Sequence, residues 1–418
     1  MIALILQAAL GITAHHPDVM VVILDDLAND RLAVYGESLL APAEMPVTPA
    51  IDAVAAAGLR CTGFYTSHTC SPSRAALMTG LYPAHDCVGD PYGPGDLHSD
   101  YTPTLGQWFQ DAGYATSYVG KWHINATEDT VVDPAAPNLR GWRDFAGHKG
   151  NAGDYFAWKL TVNGTTSDVV GYRPQVFLDF AVSAWTTMRS PKIEVVALSL
   201  PHRPLHDPPQ SWVTHAVGGT ELQQWVTMIE AADFVLGQLR ALLQPNDYLF
   251  VLADNGDIRP ATTFSDWPEA KGTMKEPGIN VPLLIQGPGI AAGTVSGALL
   301  GAYDVAPTLA DLCHVPTPAV DGHSFTDVLR ARPVRDREFV WSSWYRPNGD
   351  WTLAPDQQWA LVAADGWKLI RTIDSTGTVD ELYDLNTAPP GWDGTPVVNN
   401  VAQLHRLQAE LDARIGGL

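Results

Sequence analysis

The hydrophobic pattern of this chain is one of buried runs that each stop at a polar cluster. Val19-Met-Val-Val-Ile-Leu24 is continuously apolar and rich in β-branched residues, the pattern of a parallel strand covered on both faces, and it stops at Asp25-Asp26. Ala115-Thr-Ser-Tyr-Val-Gly120, after an amphipathic segment from Leu105 to Ala112 and Gly113, ends at Lys121-Trp122-His123. Ile193 to Leu200 runs into Pro201-His202. Tyr248 to Ala253, after a helical stretch from about Glu221 to Leu243, runs into Asp254-Asn255-Gly256. The right-handed crossover rule places the carboxyl ends of parallel strands on one edge of an open α/β sheet, where ligands bind. Any one cluster also fits an ordinary turn or a capped loop. All of them on one edge define a candidate site.

Val281-Pro-Leu-Leu-Ile285 predicts a further strand and Val305 to Leu312 a helix. From about Arg332 the texture changes. Short patches at Glu338–Trp341, Trp359–Val362, Trp367–Arg371 and Glu381–Leu385 are separated by turn residues and followed by a helical pattern around Val401 to Ile415. The expected fold class is therefore α/β: a mostly parallel central sheet flanked by helices over residues 17–331, with a smaller antiparallel sheet packed by a helix over 332–418. No fixed-period repeat is present.

With 418 residues, 46% hydrophobic and 17% charged, the composition is that of a folded globular protein and argues against disorder. A formal charge of −21 argues against a nucleic acid or an acidic membrane as partner. An anionic substrate would need a local basic pocket. Cys61, Cys70, Cys87 and Cys313 have no Cys-x-x-Cys spacing, which excludes a zinc ribbon and speaks against a disulfide framework. Met1 to Ala14 is apolar, too short to span a bilayer and ends in small residues, so residues 1–16 read as a short signal peptide lacking a basic start. The expected location is periplasmic or secreted, and cytoplasmic if that segment is not a signal. No other stretch has the apolar length of a membrane span.

Cys70-Ser-Pro-Ser-Arg74 places a thiol, a helix start and an arginine within five residues. Pro72 suits the first helical position and Ser71 an N-cap, so free backbone N–H groups, the helix dipole and Arg74 would favour an oxyanion there. Alone, the stretch fits equally a small buried cysteine beside a helix cap. Asp25, Asp26, Asp254 and Asn255 offer hard oxygen donors suited to Ca²⁺ or Mg²⁺ rather than zinc. Lys121, His123, His202 and Arg74 would add positive charge and proton donors around such an ion. Sulfate and phosphate esters both fit that description.

The chain resembles the type I, formylglycine-dependent sulfatases of the alkaline-phosphatase superfamily over roughly Pro17 to Glu410. Cys70 to Gly80 matches every fixed position of the hallmark Cys-x-Pro-Ser-Arg-x-x-x-x-Thr-Gly, and Asp25-Asp26, Gly120-Lys-Trp-His123, Pro201-His202, Asp254-Asn-Gly256 and Lys271-Gly-Thr273 are similar too. The resemblance implies hydrolysis of a sulfate monoester of a small molecule or carbohydrate, with Cys70 converted to formylglycine by a maturation enzyme. It implies a hydrated aldehyde as nucleophile, held by Arg74 and Lys121. His202, assisted by Lys271, would protonate the leaving oxygen, and His123 would accept the proton that releases sulfate. Asp25, Asp26, Asp254, Asn255 and residue 70 would ligate a metal, Ca²⁺ with Mg²⁺ as the alternative.

Lys275, Pro277 and Asn280 depart from the family pattern, and Pro277 fixes a dihedral where a glycine would be free, which leaves the reach of Lys271 open. Ala84-His85-Asp86-Cys87 also departs, at positions where many relatives carry a basic residue and His. His206 fits either the leaving-group side or a loop cap. Trp142, Trp158 and Trp267, in the loops 125–166 and 259–270, are candidates for stacking on a sugar. Two alternatives stay open: a phosphonate monoester or phosphodiester hydrolase on the same site, and an inactive relative that binds sulfated glycans.

Overall fold

The computed structural model describes residues 16–36, 40–91, 103–124, 133–151, 153–258, 270–332, 337–388 and 392–418. The signal-like segment Met1 to Ala14 and Trp267 lie outside these residues, as do 125–132 and 259–269 of the two loops named above.

The central sheet has ten strands. Its middle is parallel: Tyr248–Ala253, Val19–Leu24, Lys192–Ala197, Ala115–Lys121 and Asp144–His148 lie side by side in that order. The four apolar runs that end in polar clusters are thus four consecutive strands of this five-stranded parallel core, all buried. Leu283–Gln286 pairs antiparallel with Tyr248–Ala253 and Leu59–Cys61 antiparallel with it in turn, with Thr294–Ser296 at that edge. At the other edge the hairpin Ala157–Val162 and Thr165–Val170 pairs antiparallel with Asp144–His148. Two groups of packed helices flank the sheet. One contains Pro49–Ala57, Arg173–Thr187 and Glu221–Arg240; the other contains Cys70–Thr79, Leu105–Asp111 and Val305–Leu312. The helix Glu221–Arg240 starts where it does because Thr220 and Gln223 form a reciprocal capping box.

Four antiparallel strands, Phe339–Arg346, Asp356–Ala363, Trp367–Asp374 and Gly377–Asp384, form the second sheet, and the helix Val401–Ile415 packs on it through Leu407 and Leu411. This sheet is tied to the loops that carry the candidate site. Ser342 Oγ donates to Thr66 O at 2.7 Å and Ser67 Oγ to Ser343 O at 2.8 Å, just upstream of Cys70. Lys368 Nζ, fully buried, sits 2.8 Å from both Glu276 and Asp393, just downstream of Lys271. All four cysteines are free thiols. No described helix is long and apolar enough to cross a membrane.

Candidate active site

Parallel strands deliver the site residues. At the end of Val19–Leu24, Asp25 N donates to Leu200 O (3.0 Å), and Asp254 N donates to Leu24 O (3.0 Å), which locks three strand ends together. Gly120 precedes Lys121 at φ 113°, where a Cβ would lie 1.9 Å from Ala197 O, so the strand can pass only as glycine. Asp26 (φ 68°) and His123 (φ 50°) take the left-handed conformation that costs a side-chain-bearing residue. Both turn sharply at the strand ends, and both point into the same cluster.

The helix starts two residues earlier than the Ser71 cap predicted. It spans Cys70–Thr79 with Thr69 as the N-cap residue, so Cys70 is its first residue and Pro72 its third. Pro72 is tolerated there because the first turn's N–H groups have no intrahelical partner. Arg74, one turn on, lies on the same face as Cys70.

The Cys70 sulfur lies between two ammonium groups, 3.4 Å from Lys121 Nζ and 3.3 Å from Lys271 Nζ. Lys121 also donates to Asp25 Oδ2 (2.8 Å), and Lys271 to Asp26 Oδ1. Lys271 therefore reaches the centre despite Pro277, which sits in the first turn of the short helix Glu276–Ile279. Lys275 turns away to Tyr383, and Asn280 bonds Glu276 Oε2 at 2.7 Å. Arg74 donates to Asp254 Oδ2 (2.7 Å) and to Lys121 O (2.7 Å). Asn255 Nδ2 donates to Asp26 Oδ1 (2.7 Å), and His202 Nε2 is 3.8 Å from Asp26 Oδ2. All six residues expected to act, Cys70, Arg74, Lys121, His123, His202 and Lys271, are brought into this buried region with Asp25, Asp26, Asp254 and Asn255.

The polar atoms left without partners fall into two kinds. Asp25 Oδ1, Asp26 Oδ2 and Asn255 Oδ1 are buried acceptors with no donor, while Arg74 Nη2 is a buried donor with no acceptor and His123 Nδ1 is also unpaired. Unpaired buried polar groups each cost about 1–3 kcal/mol, so such a set is stable only if something fills it. Orphaned oxygens suit a hard cation; orphaned donors suit an anion. One ligand atom each from Asp25, Asp26, Cys70 and His202 lies within 4.8 Å of the others. Asp254, whose Oδ2 Arg74 holds, is not in that tightest group; it adjoins the group through Oδ1, which accepts from Asp26 N at 3.3 Å.

Burial and charge set the protonation states. Burial raises the Cys70 thiol above its ordinary range, against the pull of Lys121 and Lys271, so the group is a neutral thiol at neutral pH and a poor nucleophile as it stands. Burial alone would raise Asp25, but Lys121, His202 and Arg74 hold it well below the usual carboxylate range. Burial lowers His202 to about 3 although Asp25 opposes it, and burial together with Lys121 and Arg74 holds His123 well below its ordinary value. Lys271 stays protonated: burial would lower it, but the carboxylates, Asp26 foremost, outweigh that and hold it well above its ordinary value. Of the six, His202 (15% exposed) and Lys271 (13%) keep the most contact with solvent, which puts them at the mouth.

Some expectations fail. Trp142 is fully buried against Tyr118, and Trp158 packs on Phe177, so both belong to the core and neither walls a pocket. His206 packs against Tyr155, ring centroids 3.9 Å apart, and bonds Tyr172 Oη through Nε2 (3.1 Å), a packing role away from the cluster. His85 pairs with Asp321 (2.8 Å). Sequence reasoning missed His148, at the carboxyl end of the fifth parallel strand, whose Nε2 meets Ser199 Oγ at 2.9 Å. The strand-end rule that found its neighbours applies to it as well, but Asp144-Phe-Ala-Gly-His148 is too short and mixed to read as a strand.

A parallel sheet carries a buried carboxylate and cation cluster at its carboxyl edge, centred on a cysteine at a helix start, a set of groups whose chemistry suits a cation and an anionic ester. The Sulfatase family profile matches residues 17–315, and the profile of N-sulphoglucosamine sulphohydrolase, C-terminal, matches 267–417. The chain belongs to the sulfatase family, the sulfuric ester hydrolases. It is 26% identical over 393 residues to N-acetylgalactosamine-6-sulfatase of Rattus norvegicus, covering 82% of this chain and 71% of the relative. It is 25% identical to arylsulfatase J of Mus musculus over 325 residues, 71% of this chain but about half (52%) of that relative's length. In fold it is similar to a protein solved in complex with its substrate D-glucosamine-2-N,6-O-disulfate: the TM-score is 0.77 at 18% identity, covering 96% of this chain and 97% of the other.

Proposed function

We propose that this chain hydrolyses a sulfate monoester of a carbohydrate to an alcohol and inorganic sulfate, with residue 70 acting as a formylglycine hydrate. The observation that carries this reading is the Cys70 side chain held between Lys121 and Lys271 at 3.4 and 3.3 Å, beside orphaned oxygens and an orphaned arginine donor. A buried neutral thiol gains little from two ammonium neighbours. A hydrated aldehyde gains two donors that orient its hydroxyl groups.

Asp25, Asp26, Asp254, Asn255 and residue 70 would hold a divalent cation, Ca²⁺ by their oxygen chemistry, which supplies charge neutralisation at the sulfate oxygens. Without it the three buried aspartates and the three buried cations Arg74, Lys121 and Lys271 balance. With it the site carries a net positive charge that complements an anionic ester. Arg74 Nη2 and Lys121 hold the substrate oxygens and residue 70 in line for attack on sulfur. Lys271 and His202, at the mouth, face the leaving alcohol. His202 Nδ1 donates to Arg203 O (2.6 Å), so Nε2 is the atom turned to the site. Nε2 is bare in the free protein and gains its proton as the anionic ester offsets the two lysines; Lys271 carries its proton throughout. His123 then takes the proton of the remaining hydroxyl as the C–O bond to sulfate breaks and the aldehyde re-forms.

The carbohydrate assignment draws on the relatives, whose names specify N-acetylgalactosamine 6-sulfate and a disulfated glucosamine. Export, with the maturation enzyme acting on the chain, belongs to the same proposal; N-terminal sequencing of the mature protein tests it. Turnover of paired aryl sulfate and aryl phosphodiester substrates tests the reaction. The sulfate is expected to be the better substrate. A marked preference for the phosphodiester would favour a phosphodiester hydrolase on this site, and no turnover of either would favour a binding protein.

A further inference from the structure

We propose that Tyr155 is a positioning residue for His202, a role that rests on the sulfate-ester reading above. His202 lies on a loop with no strand or helix of its own after Ala197, so its ring direction depends on what fixes that loop. Tyr155 fixes it from outside. The buried hydroxyl of Tyr155 contacts two loop carbonyls at once, Ser199 O and, at 2.7 Å, His202 O. It carries one proton for both. Ser199 O also accepts from His202 N (3.0 Å), so the turn from 199 to 202 closes on itself and is pinned at both ends by the same phenol. The Ser199 hydroxyl is held in turn by His148 Nε2 at 2.9 Å; because His148 Nδ1 donates to Gly150 O (2.6 Å), Nε2 is the acceptor.

Tyr155 is itself clamped on both sides. The Arg173 guanidinium lies 3.9 Å from its ring centroid, and the His206 ring packs against it, tilted by 33°, with the ring centroids 3.9 Å apart. Neither neighbour is in the central cluster. Their packing leaves the ring one position, and that position sets the His202 carbonyl. With the His202 backbone held and Nδ1 committed to Arg203 O, Nε2 is aimed at the mouth, 3.8 Å from Asp26 Oδ2. His206, which the sequence leaves between a leaving-group role and a loop cap, thus supports the residue that orients the acid.

The test is Tyr155→Phe, purified from a host that matures residue 70 and assayed with 4-nitrophenyl, phenyl and 4-methylphenyl sulfate. A leaving group of low pKa needs no proton; the others do. The expected result is a kcat loss of about tenfold for phenyl and 4-methylphenyl sulfate, less than about twofold for 4-nitrophenyl sulfate, and little change in KM. In a His202→Ala background, Tyr155→Phe should add no further leaving-group dependence. Equal losses on all three esters, or a steeper dependence in the His202→Ala background, would overturn the positioning role and leave Tyr155 as packing. A wild-type chain that turns over none of the esters would instead overturn the hydrolase reading itself.

Discussion

Lys121→Met removes one partner of a fully buried ion pair and exposes how the cluster is balanced. Lys121 Nζ donates to Asp25 Oδ2 at 2.8 Å, and the two side chains are 1% and 0% exposed. Stranding one charge of such a pair costs about 3–5 kcal/mol. Arg74 Nη2, 3.8 Å from the same oxygen, keeps part of the compensation, which places the expected loss near the lower end, about 3 kcal/mol. Because Lys121 and its neighbours depress the Asp25 pKa, the carboxylate's contribution is complete above its unfolded value, about 3.9, and is lost as pH falls through the folded one. The difference between wild type and variant should therefore be full at pH 7 and shrink on strong acidification. Urea unfolding followed by tryptophan fluorescence, with chelator present, measures it. Asp25→Asn in the Lys121→Met background should restore most of the loss, since no charge is then stranded. A loss under about 1 kcal/mol, or a double variant with simply additive losses, would refute the buried pair.

Cys70→Ala should abolish sulfate release yet unfold at the wild-type midpoint within a few degrees, because the hydrogen bonds of the sulfur among the described residues are two long ones; an active variant would remove residue 70 from the chemistry. Adding Ca²⁺ to chelator-treated protein should raise the thermal midpoint, by the equivalent of about 2.7 kcal/mol at a hundredfold excess over Kd, and Asp26→Asn should blunt the effect. No shift in either protein would count against a cation at the orphaned oxygens. Lys368→Met should destabilise by about 3–5 kcal/mol, since it strands Glu276 and Asp393 beneath the Lys271 loop. An unchanged urea midpoint would show that the second sheet does not brace that loop.

The parallel core was legible because its strands are buried on both faces and so appear as unbroken apolar runs. The residues at the ends of those runs were legible for the same reason: Asp25, His202 and Asp254 follow, and Lys121 ends, strands whose carboxyl ends packing brings to one edge. The hairpin Ala157–Val162 and Thr165–Val170 was not, because its outer strand is exposed almost throughout and shows no apolar alternation. Trp142 and Trp158 were misplaced because periodicity cannot tell a loop tryptophan that faces a pocket from one that fills the core. The ties of Lys368 to Glu276 and of Tyr155 to Ser199 and His202 join residues far apart in sequence. Such contacts leave no local pattern, and only the folded chain brings them together.

Mass spectrometry of the peptide containing residue 70, from active protein made in a host with the maturation enzyme, tests the central claim most directly. Conversion of the thiol to an aldehyde lowers the peptide mass by about 18 Da, and the account predicts that the converted fraction tracks specific activity across preparations. Fully active protein whose residue 70 remains an unmodified thiol would contradict it.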